Sequence, residues 1–252
     1  MTDKLKNKIA IVTGGGRGIG KAIAQAYARE GAKVIVTAAK LKKEIDETAA
    51  DINGKAVLAD ITNPDDVQKL VDTVISEFGR IDILVNNAAR GMRFVNESFM
   101  TDPKAFWEAD PVTWQMVINT NVNGTFLVTR TVIPQMLKQK SGRIINISIN
   151  SETMKRRGFS PYGPSKAALE SMSIIWAQEL AGTGITLNML LPGGATLTGM
   201  IPPNFPEDKK HELLQPDVIA DAAVYLASDE SANINGQRII AVEWNKEHGI
   251  NK

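Results

Sequence analysis

No cysteine occurs in the 252 residues. Disulfides, thiolate nucleophiles, iron–sulfur clusters and cysteine-ligated zinc are therefore excluded. Histidine is nearly as scarce, with only His211 and His248. With only these two, a histidine-based triad or a multi-histidine metal site is almost excluded. Charge of one sign is also lacking. Lys and Arg total 29, Asp and Glu total 28, and the net charge is +1. No global field would gather nucleic acid or an anionic membrane. The start, Met1-Thr2-Asp3-Lys4-Leu5-Lys6, lacks the apolar stretch of a secretory signal. No apolar run approaches the ~18 residues of a membrane span. The expectation is a soluble, cytoplasmic protein with neither nucleic acid nor membrane as partner.

What is present is a large apolar fraction, 43% against 23% charged, enough for a sizeable core. Short β-branched runs alternate with helical patterns. Strands are expected at 8–13, 33–37, 55–59, 81–86, 143–148, 185–190 and 237–242. Helices are expected at 21–30, at 64–78 with Pro64 in the first turn, at 111–138 as one long helix, and at 216–228. Apolar strands interleaved with helices predict an α/β fold, a single doubly wound parallel sheet of about seven strands covered on both faces. There is no repeat, low-complexity tract or linker, so residues 1–252 read as one domain. Two irregular segments, about 90–110 and 197–213, follow strand ends, where open α/β sheets bind ligands.

The turn Thr13-Gly14-Gly15-Gly16-Arg17-Gly18-Ile19-Gly20 lies between the first strand and the first helix. Glycine lets the backbone bend sharply and lets a pyrophosphate approach, while the helix offers free N–H groups to phosphate oxygens. The acidic residue that grips a ribose 2′-hydroxyl at the end of the second strand is absent; Ala38-Ala39-Lys40 stands there. Arg17, Lys40, Lys42 and Lys43 supply cations instead. A 2′-phosphate needs cations and no nearby carboxylate, so NADP(H) is expected over NAD(H). The bland alternative is a solvated lysine cluster at a helix start.

Tyr162-Gly163-Pro164-Ser165-Lys166 opens a later helix, and a spacing of four puts Tyr and Lys on one face. An ammonium favours the phenolate, so Tyr162 is expected to exchange a proton nearer neutrality than the usual ~10. A surface Tyr and a surface Lys are the alternative.

Together these pieces resemble the short-chain dehydrogenase/reductase superfamily over nearly the full length, in particular its 3-oxoacyl-carrier-protein reductase-like members. The matching residues are Thr13-Gly14-x-x-x-Gly18-x-Gly20, Asp60, Asn86-Asn87-Ala88, Asn121, Tyr162-x-x-x-Lys166 and Pro192-Gly193. The resemblance implies a single Rossmann-like dinucleotide-binding and catalytic domain that interconverts ketones and secondary alcohols, as a dimer or tetramer. It implies that Tyr162 is the acid or base, that Lys166 holds the nicotinamide ribose, and that Asn121 anchors a proton-relay water. Asp60 and Ile61 would lie by the adenine, and Asn87 and Ala88 along the adenosine ribose. Ala195 and Thr198 would meet the carboxamide. Gly14, Gly16, Arg17, Gly18, Ile19, Gly20, Ala39, Lys40, Pro192 and Gly193 complete the cofactor set.

The family carries a serine 13 positions before the tyrosine, whose hydroxyl polarises the carbonyl. Here that position is Ile149. Ser148, taken as the stand-in, lies one residue early and faces the other side of a regular strand. A bulge would let Ser148, Asn150 or Ser151 serve. Otherwise activity is impaired, and an NADPH-binding scaffold or a non-redox dehydratase or lyase is the alternative. Glu243-Trp244-Asn245 also replaces the usual Gly-Gly after the last strand. The segment 90–110, with Phe94, Phe99, Phe106 and Trp107, reads either as a wall for a bulky apolar substrate or as a surface loop or subunit contact. Lys155-Arg156-Arg157 reads either as a solvated charge run or as a lure for an anionic substrate.

Overall fold

A computed structural model describes residues 3–250. Met1 and Thr2, at the head of the N-terminal stretch read above, lie outside the described residues, as do Asn251 and Lys252. Seven parallel strands form one sheet: β1 (Ile9–Thr13), β2 (Lys33–Ala38), β3 (Lys55–Leu58), β4 (Ile83–Asn86), β5 (Gly142–Ile147), β6 (Ile185–Leu191) and β7 (Arg238–Ile240). Their order is β3-β2-β1-β4-β5-β6-β7. The winding reverses between β1 and β4, the switch point at which such sheets bind ligands.

The strands are apolar on both sides because both sides are covered. One face packs on α1 (Gly18–Arg29), α2 (Lys42–Asp51) and α8 (Ala220–Ala227), around Val12, Ile23, Tyr27 and Ile45. The other packs on α3 (Pro64–Phe78), α5 (Thr125–Gln139) and α7 (Tyr162–Glu179), around Ile11, Leu70, Val128 and Leu187. Local signals set the helix ends. Asn63 caps α3 by accepting from the Asp65 and Asp66 amides, Pro64 fills the first position, and Gly79 closes it with φ 73°.

Two expectations need correction. The helix expected from 111 to 138 is α4 (Pro111–Ile118), a π-helical turn Asn119–Gly124, and α5. The last strand stops at Ile240, and Ala241–Glu247 forms α9. Glutamate, tryptophan and asparagine where glycines were expected allow helix. Asn245 locks it by donating from Nδ2 to the Val218 carbonyl at 2.8 Å. The remaining helix, α6 (Ser151–Met154), follows β5. No helix among the described residues is long and apolar enough to cross a membrane.

Candidate active site

The C-terminal ends of β1 and β4 are joined through one side chain. Thr13 Oγ1 accepts from the Asn87 and Ala88 amides, both at 3.0 Å, and Asn87 Nδ2 donates to the Thr13 and Gly14 carbonyls. Gly14 and Gly18 have φ +64° and +52°, the left-handed region. A Cβ on Gly20 would stand 2.3 Å from the Gly14 oxygen and 2.4 Å from Asn87 Nδ2, so only glycine fits. Arg17 caps α1 without a side-chain bond, which leaves the first helical N–H groups for a ligand.

Above this turn lies a cavity of about 590 Å³. Gly14, Gly16, Arg17, Gly18, Ile19, Ala39, Lys40, Asp60, Ile61, Asn87, Ala88 and Thr198 all line it. Asp60 is braced by Thr62, whose amide and hydroxyl both donate to Oδ1. The bend, the Cβ-free approach at Gly20 and the open helix end fit a dinucleotide. Pro192, Gly193 and Ala195 follow β6 outside this lining. Gly193, at φ +105°, has Val242 where a Cβ would go, and it accepts from Asn150 Nδ2 at 3.0 Å.

A carboxylate that the sequence did not place lies beside the cations. Glu44, on α2, lines the same cavity, and its Oε1 is 3.4 Å from Arg17 Nη1. Lys42 and Lys43 turn to Asp46 and Glu47 along α2. Of the four cations read from the sequence, Arg17 and Lys40 line the cavity, and Arg90 and Arg93 line it as well.

Tyr162 and Lys166 start α7, and both are buried. The Lys166 Nζ lies 5.9 Å from the Tyr162 ring centre and donates to the Ile147 carbonyl at 2.7 Å. Burial lowers the Lys166 pKa to about 8, opposed by the Glu170 carboxylate one turn on. Burial also pushes the Tyr162 phenol above its ordinary value. The acidification expected from Lys166 is outweighed by loss of water. The Tyr162 hydroxyl faces Met200 Sδ at 4.0 Å, and Met200 also lines the cavity. Asn121 sits in the π-helical turn, a feature that often re-aims a functional side chain. It is clamped on both sides. Its Oδ1 accepts from the Arg90 amide, and its Nδ2 donates to the Arg90 carbonyl and to Ser165 Oγ. Ser165 in turn donates to the Tyr162 carbonyl at 2.7 Å.

Ile149 packs into the apolar cluster of Met92, Phe99, Phe159 and Tyr162. Ser148 is buried, and its hydroxyl donates to Glu170 Oε1 at 2.6 Å. Arg238 donates from Nε to the same oxygen at 2.9 Å and from Nη2 to the Ile149 carbonyl at 2.8 Å. Glu170 and Arg238 were not singled out in the sequence. For Glu170 a signal existed, since it falls four residues after Lys166 and eight after Tyr162, on the same helical face.

The aromatics of 90–110 divide. Phe99 is buried against Phe159, whereas Phe106 and Trp107 are 66% and 76% exposed. Loop 197–213 is fastened to this segment by Arg93 Nη1 donating to the Gly199 carbonyl at 2.6 Å, and by Asn204 bonded to Ser98 and Thr101. His211 is exposed, in the 3₁₀ turn Glu207–Glu212 of that loop.

A family model described as short chain dehydrogenase matches residues 8–209. The chain is 34% identical over 249 residues to the 3-oxoacyl-(acyl-carrier-protein) reductase FabG of Thermotoga maritima, across 94% of this chain and 96% of the relative. It is 36% identical to the 3-oxoacyl-(acyl-carrier-protein) reductase of Synechocystis, across 92% and 94%. A solved short chain dehydrogenase/reductase family protein superposes with a TM-score of 0.81 at 30% identity, over 94% of this chain and 96% of that one. The chain therefore belongs to the short-chain dehydrogenase family and is an oxidoreductase acting on CH–OH and C=O groups.

Proposed function

We propose that this chain is an NADPH-dependent ketone reductase in which Tyr162 supplies the proton. One catalytic domain spans residues 1–252, with 90–110 and 197–213 as its substrate segments. The observation that carries this reading is the buried Tyr162–Lys166 pair one helical turn apart, whose phenol touches Met200, a residue that also lines the cavity above the glycine turn. A bound nicotinamide dinucleotide would supply the hydride, or accept it in the reverse direction. Arg17 and Lys40 would hold the 2′-phosphate, and the open end of α1 the pyrophosphate.

Burial keeps Tyr162 protonated, the state a proton donor to a nascent alkoxide requires. Lys166, cationic below about pH 8, stabilises the phenolate left behind. Asn121 is held in place to orient a water that returns the proton. Ser148, the stand-in read from the sequence, has its hydroxyl committed to Glu170, so Tyr162 is the main donor to the carbonyl oxygen. The relatives named as 3-oxoacyl-(acyl-carrier-protein) reductases make a small-molecule ketone the natural substrate class. A cytoplasmic homo-oligomer, dimer or tetramer, completes the proposal.

The test follows NADPH absorbance with a panel of ketones. Turnover is expected in the wild type and lost by at least a thousandfold in Tyr162→Phe, with NADPH affinity retained. Tight NADPH binding without turnover on any carbonyl would overturn the reductase and leave a nucleotide-binding scaffold.

A further inference from the structure

We propose that the apolar region beside Tyr162 ends in a carboxylate-binding subsite formed by Arg156 and Arg157. The substrate would then be a ketone whose aryl or alkyl body carries a carboxylate at its far end. This rests on the reading of Tyr162 as the proton donor.

Tyr162 belongs to an apolar cluster, and its hydroxyl faces Met200. Ile149, Met200, Met92, Phe99 and Phe159 share that cluster, and the two phenylalanine rings meet edge to face at 5.3 Å. Those same two rings line a second cavity of about 240 Å³, together with Arg156 and Arg157. A dry cavity of ~150 Å³ already admits benzene, so there is room for a phenyl group or an equivalent alkyl chain. Both arginines are exposed, and the Arg156 guanidinium carbon stands 5.4 Å from the Phe159 ring centre, so one side of that cation is backed by an aromatic face.

The arginines sit on a braced loop. Gly158 has φ +79°, and a Cβ there would come within 2.4 Å of Pro103 Cβ, so the loop is pressed against the 90–110 segment. Their charge is also left over. Arg17 is paired with Glu44 and Arg238 with Glu170, but among the described residues neither Arg156 nor Arg157 makes an ion pair. Two guanidiniums beside an apolar chamber match a carboxylate, which a planar fork of donors binds bidentately. A neutral substrate would leave them unused.

Two aryl ketones of different length provide the test, 4-acetylbenzoate and 4-(4-acetylphenyl)butanoate, each against its neutral carboxamide. With NADPH present, kcat/KM is expected to favour the carboxylate at least tenfold for one or both lengths. In the double variant Arg156→Gln, Arg157→Gln that preference should vanish through KM, with the amide's kcat/KM within twofold of wild type and an unchanged melting temperature. Equal kcat/KM for acid and amide at both lengths, or a preference that survives the double variant, would overturn the subsite. If no ketone of the set is reduced, the set counts against the reductase reading, and calorimetry then decides the subsite alone. Binding of either carboxylate to wild type that is lost in the double variant supports it, and no binding of either to wild type refutes it.

Discussion

The Ser148 hydroxyl donates to Glu170 at 2.6 Å, and Arg238 donates to the same carboxylate oxygen at 2.9 Å. Lys166 holds the carbonyl of Ile147, and Arg238 holds that of Ile149. Three successive residues at the end of β5 are thus each tied to a charged group. The tether fixes Ser148 toward α7 and presents Ile149 to Tyr162.

Glu170 is then a positioning residue that acts through Lys166. Burial pulls the Lys166 pKa down to about 8, and the Glu170 carboxylate pushes the other way. The charged groups facing Lys166 are Glu170 on its own helix and, through Glu170, Arg238 on β7; Tyr162 is neutral, as are the Ile147 carbonyl and Asn121. Glu170→Gln removes the opposing charge, so Lys166 loses its proton at lower pH. The alkaline fall in ketone-reduction kcat/KM should move down by roughly half a pH unit or more. Arg238→Met unmasks the carboxylate and should move the fall upward. Ser148→Ala, which leaves the charges in place, should leave the midpoint where it is. A pH–rate profile of the three variants checks the order.

Ile149 sets the second expectation. Its side chain packs with Tyr162 and Phe159 and gives the carbonyl oxygen no donor. Losing one such donor costs roughly 10²–10³ in rate. Ile149→Ser should therefore raise kcat for ketone reduction at least tenfold. Removing this half-buried side chain should also lower stability by roughly 1–2 kcal/mol. Single-turnover kinetics and a thermal melt measure the two effects separately. Unchanged kcat would mean that Tyr162 alone already meets the oxygen's need.

The sheet was legible because its strands are short, β-branched and separated by turn residues, as at Lys33–Ala38. The glycine bend was legible because sterics at Gly20 admit nothing else. The break at Asn119–Gly124 was not, since one extra residue in a helical turn barely disturbs an apolar repeat. The partners of Ser148 and Arg17 were hidden for a different reason. Glu170 lies 22 residues from Ser148, and Glu44 lies 27 from Arg17. Nothing in local spacing brings them together until α7 and α2 have docked on the sheet.

The Arg17–Glu44 contact gives the last expectation, on cofactor choice. The two charges are 3.4 Å apart, with side chains 58% and 34% exposed, at the rim of the cofactor cavity. An exposed pair of this kind is worth at most about 1 kcal/mol, so a 2′-phosphate can displace the carboxylate, but it must meet the repulsion of Glu44 as it does. Glu44→Gln removes that repulsion and frees Arg17. NADPH should bind roughly fivefold more tightly, about 1 kcal/mol, while NADH, which lacks the 2′-phosphate, should stay within twofold. Arg17→Ala should weaken NADPH and spare NADH. Nicotinamide fluorescence titrations at low and high salt check both, and the Glu44 effect should shrink as salt screens it. Wild-type protein that binds NADH severalfold more tightly than NADPH would show instead that Glu44 neutralises Arg17, leaving Lys40 too exposed to select the phosphate.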